Sequence, residues 1–282
     1  MTKWLTDDAI GVITKLGHGS WVENIDDLVS HLCEKFALVP VAPLTGGTLS
    51  AVVRCTTSDG SEVVLKASPS IAALERERRF FARLPVGVAP LVHASEPGAL
   101  VLEFLSGTPE SGCLADESAV TELLRLNLWS TDEPGSLSDI TEMLEKISSR
   151  LALRDPALAA TFDGATPLIR ALWCEPPVWC HGDLQAENVF WDGLRLRVID
   201  PLPLWAPLGM DLGYWAADPL RPGLPTRRIS LLATSLGIPE MHLTSWTTFG
   251  AAQHLSWLWH YDVRPELARQ TEVTLRHLLG ES

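Results

Sequence analysis

Cysteine is scarce and follows no pattern. Cys33, Cys55, Cys113, Cys174 and Cys180 are odd in number and scattered, with no C-x-x-C pair and no nearby Cys/His spacing. That speaks against a zinc module and a disulfide framework, and leaves reduced thiols that mostly pack. Positive charge is also short, with 22 Lys and Arg against 35 Asp and Glu and a formal net charge of −13. A nucleic-acid surface needs cations in excess to neutralise phosphates, so no nucleic-acid partner is expected, and a cationic small molecule fits better. The start of the chain has no basic stretch and no long apolar segment, because Asp7 and Asp8 interrupt it early; a cytoplasmic protein is the expectation. No G-x-x-x-x-G-K-[ST] run occurs, so an ordinary P-loop kinase is not expected. Internal repeats and low-complexity tracts are missing too.

One stretch, Met241 to Tyr261, carries no formal charge and has the length of a membrane span. Its pattern points elsewhere. Leu243, Trp246, Phe249, Ala252, Leu255 and Leu258 recur every third residue, while Thr247, Thr248, Gln253, Ser256 and His260 mark a polar side. The spacing predicts an amphipathic helix of a soluble domain and no membrane partner. Trp246, Trp257 and Trp259 are expected mostly in the core, with His254, His260 and Asp262 nearby.

What is present suits a globular chain: 282 residues with 46% hydrophobic and 20% charged, a size at which two lobes share one core. Ile25, Leu28, Val29, Leu32 and Phe36 form a helical stripe that Pro40 and Pro43 close off. Thr48 to Thr57 and Ser61 to Ala67 are rich in β-branched residues and flank Asp59-Gly60, the signature of a tight hairpin with both turn positions at positive φ. Ser70 is placed to cap a helix carrying Glu75 and Glu77. Leu100 to Phe104 reads as a buried strand, and Ser106 to Pro109 as a breaker between a strand-rich part, 1–104, and a mainly helical part, 105–282. Pro201 to Pro207 reads as a rigid packed loop.

The chemistry concentrates in Trp179-Cys180-His181-Gly182-Asp183-Leu184-Gln185-Ala186-Glu187-Asn188-Val189-Phe190-Trp191, followed by Val198-Ile199-Asp200-Pro201. An Asp that meets a hydroxyl, followed by an amide oxygen and a second carboxylate able to hold Mg²⁺, is what phosphoryl transfer to an alcohol requires. A two-residue turn at Asp192-Gly193 would pair Asn188 with Arg197 and leave Asp200 ~10 Å further along, so the loop before Asn188 must curl back.

This segment resembles the H-G-D-x-x-x-x-N catalytic loop of aminoglycoside phosphotransferases and related kinases, and its I-D-P form is similar to the streptomycin kinase and hydroxyurea phosphotransferase branch. Matching residues run from the Gly-rich turn to about Trp215. The resemblance implies an α+β, two-lobed protein-kinase-like fold with a small strand-rich nucleotide-binding lobe and a larger helical catalytic and acceptor-binding lobe. It implies ATP and Mg²⁺ as cofactors. It assigns Asp183 and His181 to the catalytic loop, Asp183 orienting the acceptor hydroxyl and taking its proton, His181 as scaffold braced through Asp211. Asn188 and Asp200 would bind Mg²⁺. Gly46, Gly47, Thr48 and Ser50 would form the phosphate-covering turn. Lys66 would contact the phosphates, held by Glu77, with Glu75 the fallback. Glu103 and Phe104 would sit at the hinge that reads the adenine edge. The expected function is transfer of the γ-phosphoryl group of ATP to a hydroxyl of a cationic antibiotic, an aminoglycoside or a viomycin- or capreomycin-type peptide. A metabolic kinase acting on an amino sugar, choline or homoserine, and a silent ligand-binding module, stay open beside it.

Overall fold

Of the three N-terminal helices, the first is opened by a side-chain cap and the next two are not. The hydroxyl of Thr6 accepts the Ala9 amide and opens α1 (Asp7–Lys15); α2 (Gly19–Glu23) and α3 (Ile25–Lys35) come next. The computed structural model describes residues 2–44, 47–109, 116–126, 128–131, 135–137, 139–221 and 223–281. Thr45, Gly46 and Cys113 lie outside the described residues. Contacts divide the chain into two units, Met1–Ser106 and Gly107–Ser282.

In the first unit, β1 (Val39–Pro43), β2 (Ala51–Thr56), β3 (Glu62–Ala67), β4 (Val92–Glu96) and β5 (Ala99–Glu103) form an antiparallel sheet in the order β1-β2-β3-β5-β4. Pro40 and Pro43 are accommodated because β1 is an edge strand, where missing amide donors go unfelt. Residues alternate between buried and half-buried along β2, and its inner face (Val53, Cys55) packs with Leu65 and Val101 against Ile25, Val29 and Leu32. The β2–β3 turn differs from the expected one. Thr56 pairs with Glu62, and of the Asp59-Gly60 pair only Gly60 has positive φ. The loop is longer than two residues because the Asp59 carboxylate accepts the Ser61 amide and holds an Asx-type turn. Ser70 caps α4 (Ile71–Phe81) through the Ala73 amide.

The second unit contains β6 (Thr108–Pro109), α5 (Asp116–Arg125), α6 (Ile140–Ala152), α7 (Pro156–Leu172), β7 (Pro177–Cys180), a 3₁₀ turn (Ala186–Asn188), β8 (Val189–Trp191), β9 (Leu196–Val198), β10 (Leu204–Pro207), α8 (Gly209–Ala217), α9 (Pro225–Leu236), α10 (Glu240–Tyr261) and α11 (Pro265–Leu278). Two small antiparallel sheets, β6-β8-β9 and β10-β7, carry the loops that matter below. The Pro-rich segment is not only a loop: Leu204 pairs with Cys180 and Pro207 with Pro177, and Trp205 stacks edge-on against Trp179 at 5.7 Å.

The amphipathic expectation for α10 is corrected. Thr247, Thr248 and Ser256, taken for a polar side, are buried with Leu243, Trp246, Phe249 and Leu255. From Trp246 to Ala252 every residue of the helix is buried, and of the expected polar positions Gln253 is half-buried and His260 exposed. The buried hydroxyls do not need water, since Thr247 donates to Leu243 O at 2.7 Å, Thr248 to Thr244 O at 2.9 Å and Ser256 to Gln253 O at 2.9 Å. Among the described residues no helix is long and apolar enough to cross a membrane. α8 approaches α10 closely because Gly209 and Gly213 face it. A Cβ on Gly213 would stand 2.3 Å from Trp246 O, and one on Gly209 2.2 Å from the Trp246 ring.

Candidate active site

The first unit supplies a buried ion pair. Lys66 Nζ lies 2.6 Å from Glu77 Oε2, with the residues 5% and 3% exposed. Lys66 lies in the covered last part of β3 and Glu77 is on the buried side of α4, so two groups seldom buried alone are buried together. Glu75 instead lies on the surface, where Arg78 and Arg79 bind its carboxylate and hold it down at about 2. In the turn before β2, Gly47 is crowded by Val52 and the Ser50 carbonyl, Ser50 is buried, and Thr48 is half-buried. At the end of β5 the Glu103 amide donates to Leu91 O at 2.8 Å and its carboxylate accepts the Leu91 amide at 3.1 Å, while Phe104 stacks under the Arg54 guanidinium at 4.9 Å. The Glu103 amide is therefore engaged with Leu91, the residue that precedes β4.

The second unit builds the candidate catalytic loop. β7 ends at Cys180, and the chain turns at Gly182, whose φ is +80° and whose Cβ would lie 2.0 Å from Leu202 O; no other residue fits there. Asp211, fully buried on α8, fixes this turn. Its Oδ2 accepts the His181 amide at 2.6 Å and the Trp129 indole at 3.0 Å, and its Oδ1 accepts the Gly182 amide at 2.8 Å. Burial pushes its carboxyl up to about 6 although these donors pull it down. Asp211 thus braces the loop through the backbone amides of His181 and Gly182. His181 Nε2 is 3.0 Å from Ile199 O, and Nδ1 accepts the Asp183 amide at 3.3 Å, which assigns the proton to Nε2.

Asp183 is held on both sides, Oδ1 accepting from Gln185 Nε2 and Oδ2 from Asn188 Nδ2, each at 2.9 Å. The same Asn188 Nδ2 also bonds the Asp183 carbonyl, so the amide oxygen of Asn188 is the end turned away from Asp183. The 3₁₀ turn curls the loop back, as the sequence required. The remaining distance to Asp200 is closed by the hairpin. Trp191 pairs with Leu196 and Val189 with Val198, and the Ile199 amide donates to Asn188 O at 2.9 Å. Asp192 binds the Leu194 and Arg195 amides, which widens the expected two-residue turn and shifts the register by two residues. Asp200 is thus one residue beyond the partner of Asn188, with its backbone in the left-handed region at φ +53°. The nearby Asp200 carboxylate adds to burial in pushing the Asp183 carboxyl up to about 8, and Asn188 opposes them.

Asp218 was not singled out from sequence. It is buried, accepts the Ala186 amide and the Leu220 amide (2.8 Å), and so pins the 3₁₀ turn. Arg228, buried on α9, donates to Asp218 O and to Ala216 O and supports it. The Asp218-Pro219 step was the signal available for it.

A family model described as APH, phosphotransferase enzyme family, matches residues 40–224. The chain belongs to that family. Solved structures share its fold at low identity. Aminoglycoside phosphotransferase APH(4)-Ia, solved as a ternary complex with AMP-PNP and hygromycin B, aligns at TM-score 0.67 with 13% identity over 90% of this chain and 97% of its own. A choline/ethanolamine kinase family protein from Mesorhizobium loti aligns at 0.65 with 17% identity over 90% and 95%. The putative fructosamine-3-kinase from Thermobifida fusca aligns at 0.54 with 18% identity over 88% and 98%. A search of curated proteins found no match. This phosphotransferase therefore has the α+β kinase-like fold that its catalytic loop implies.

Proposed function

We propose that this phosphotransferase moves the γ-phosphoryl group of ATP, with Mg²⁺, to a hydroxyl of a cationic antibiotic of the aminoglycoside or viomycin and capreomycin type. The reading is carried by Asp183, a carboxylate hydrogen-bonded by Asn188 in a loop anchored by Asp211 and Asp218. In this role Asp183 receives the acceptor hydroxyl, orients it and takes its proton, and the raised affinity of its carboxyl for a proton suits that task. Lys66, held by Glu77, is the point charge for the α- and β-phosphates, and the Gly47, Thr48 and Ser50 turn covers them.

The donor set fits a divalent cation. Asn188 has its amide oxygen directed away from Asp183, and the nearby Asp200 carboxylate pushes the Asp183 carboxyl up, a repulsion a cation relieves. No group of three or more metal-binding His, Cys, Asp or Glu side chains occurs among the described residues. A two-residue site is what Mg²⁺ uses when phosphate oxygens and water complete its shell. Bound there, Mg²⁺ would offset charge on the transferred group.

The net charge of −13 supports a cationic acceptor. So does the chemistry of the relatives: hygromycin B, choline, ethanolamine and fructosamine, named with the structures of similar fold, all combine a hydroxyl with a nitrogen cation. The choline and fructosamine kinases among them favour a second reading, a metabolic kinase for an amino sugar or amino alcohol. The deciding experiment is Mg²⁺-dependent ADP release over a panel of aminoglycosides, viomycin, capreomycin, choline, homoserine, and neutral and amino sugars, with Asp183→Ala as control. Turnover on a drug supports the first reading and turnover confined to a simple amine or sugar the second. No turnover on any acceptor overturns both in favour of a silent binding module.

A further inference from the structure

Four non-glycine residues among those described have left-handed backbone: Ala37, Asp200, Asp262 and Arg264. Ala37 and Asp262 follow the ends of α3 and α10, where helices commonly finish in this conformation. Asp200 and Arg264 have no such excuse. Each precedes a proline, which favours extended backbone in the residue before it. Strain of this kind persists where the surroundings fix it, and it gathers at functional sites. For Asp200 the site is the one described above.

Arg264 forms the turn between α10 and α11, with φ +51° and ψ +59°. From there its guanidinium reaches a residue 77 positions away in the chain: Nη1 is 2.6 Å from Glu187 Oε2 and Nη2 is 2.5 Å from Glu187 Oε1. This is the planar two-pronged pairing that arginine makes and lysine does not. Glu187 is the middle residue of the 3₁₀ turn and lies between Asp183 and Asn188. The loop is thus gripped at three points: Asp211 on the amides of its first residues, Asp218 on the Ala186 amide, and Arg264 on the Glu187 side chain. The first two belong to α8 and its end, and the third comes from the last pair of helices.

We propose that Arg264 is a positioning residue, tying the Glu187 turn to the α10–α11 junction and so fixing how Asp183 and Asn188 are presented. This rests on the roles given to Asp183 and Asn188 above. The left-handed backbone supplies the test. Arg264→Gly removes the guanidinium while glycine takes the left-handed conformation at a lower cost, so the tether is lost and thermal stability should change little. Amide hydrogen exchange over residues 184–189 is then expected to speed up, as a local opening would. Turnover should fall roughly 10- to 100-fold in kcat, the scale of a misplacement of about 1 Å, with KM for ATP within about twofold. Arg264→Lys should recover part of the rate. Glu187→Gln with Arg264→Gly should be no slower than the worse single variant, because the two act as a unit. Arg269→Gln, which removes an exposed Arg–Glu pair on the same helix, is the control expected to change neither quantity. Unchanged exchange in Arg264→Gly overturns the tether. Faster exchange with unchanged kcat overturns its positioning role. If the wild type shows no ATP-dependent turnover, the reading of function fails, and the exchange comparison alone decides whether Arg264 holds the loop.

Discussion

Asp183 carries the largest expected effect of any single residue. Replacing it with alanine removes the group proposed to accept the hydroxyl proton, so kcat should drop by about 10²-fold or more, while calorimetry should find ATP affinity within about twofold. Lys66 belongs to a different class, since its proposed role is joined to a structural one. Its ion pair is buried, so Lys66→Ala leaves the Glu77 charge without its ammonium and should cost about 3 kcal/mol in chemical denaturation besides the loss of activity. Lys66→Met with Glu77→Leu should restore much of the stability and none of the activity. His254 gives a pH signature. Burial and the Arg264 charge push its imidazole down to about 3. Between the unfolded value, ~6.5, and about 3 the unfolded chain binds a proton there that the folded one does not, so stability falls as pH falls through that window. His254→Gln should flatten that part of a thermal-melting pH profile; an unaltered slope would show that the ring titrates freely.

At the scale of elements, the contact between α8 and α10 positions the loop brace, because Asp211 rides on α8. A methyl group at Gly213 meets the Trp246 backbone at 2.3 Å, and neither helix is able to yield by a side-chain rotation. Gly213→Ala should therefore cost about 2 kcal/mol or more in urea unfolding and lower kcat by moving Asp211. Gly250→Ala meets its nearest neighbours at 3.0–3.1 Å and gains helix propensity, so its cost should be under about 1 kcal/mol. Equal costs would mean that the helices separate freely.

Much of the element order was legible because local chemistry announces it: Ser70 as a cap, the alternation along β2, and the spacing from Asp183 to Asn188 to Asp200. The failures are where tertiary contacts override local pattern. Thr247, Thr248 and Ser256 look polar in sequence, but their hydroxyls bond to the preceding helical turn and are buried. β10 hides in a Pro-rich run because Pro207 sits at the end of a two-stranded ladder. The Asp192 side chain reset a hairpin register that turn statistics alone would place two residues away. The Glu187–Arg264 pair spans too much sequence to be read from either end.

For the whole molecule, the family fixes the class of reaction and leaves the acceptor to be argued from charge. A net −13 distributes a negative field that draws in cations and repels an anion such as ATP, whose charge the proposed roles of Lys66 and Mg²⁺ would meet locally. The two substrates should respond oppositely to ionic strength. Raising salt from ~20 mM to ~300 mM shortens the screening length from roughly 20 Å to under 10 Å, which removes the long-range attraction and leaves contact interactions. For a cationic acceptor, kcat/KM should fall several-fold over that range with kcat nearly constant. KM for ATP should stay level or improve. A neutral sugar would show no such fall, so the salt profile of whichever acceptor turns over tests the charge argument independently of its name: a flat profile would mean that the acidity of this chain serves solubility and not acceptor capture.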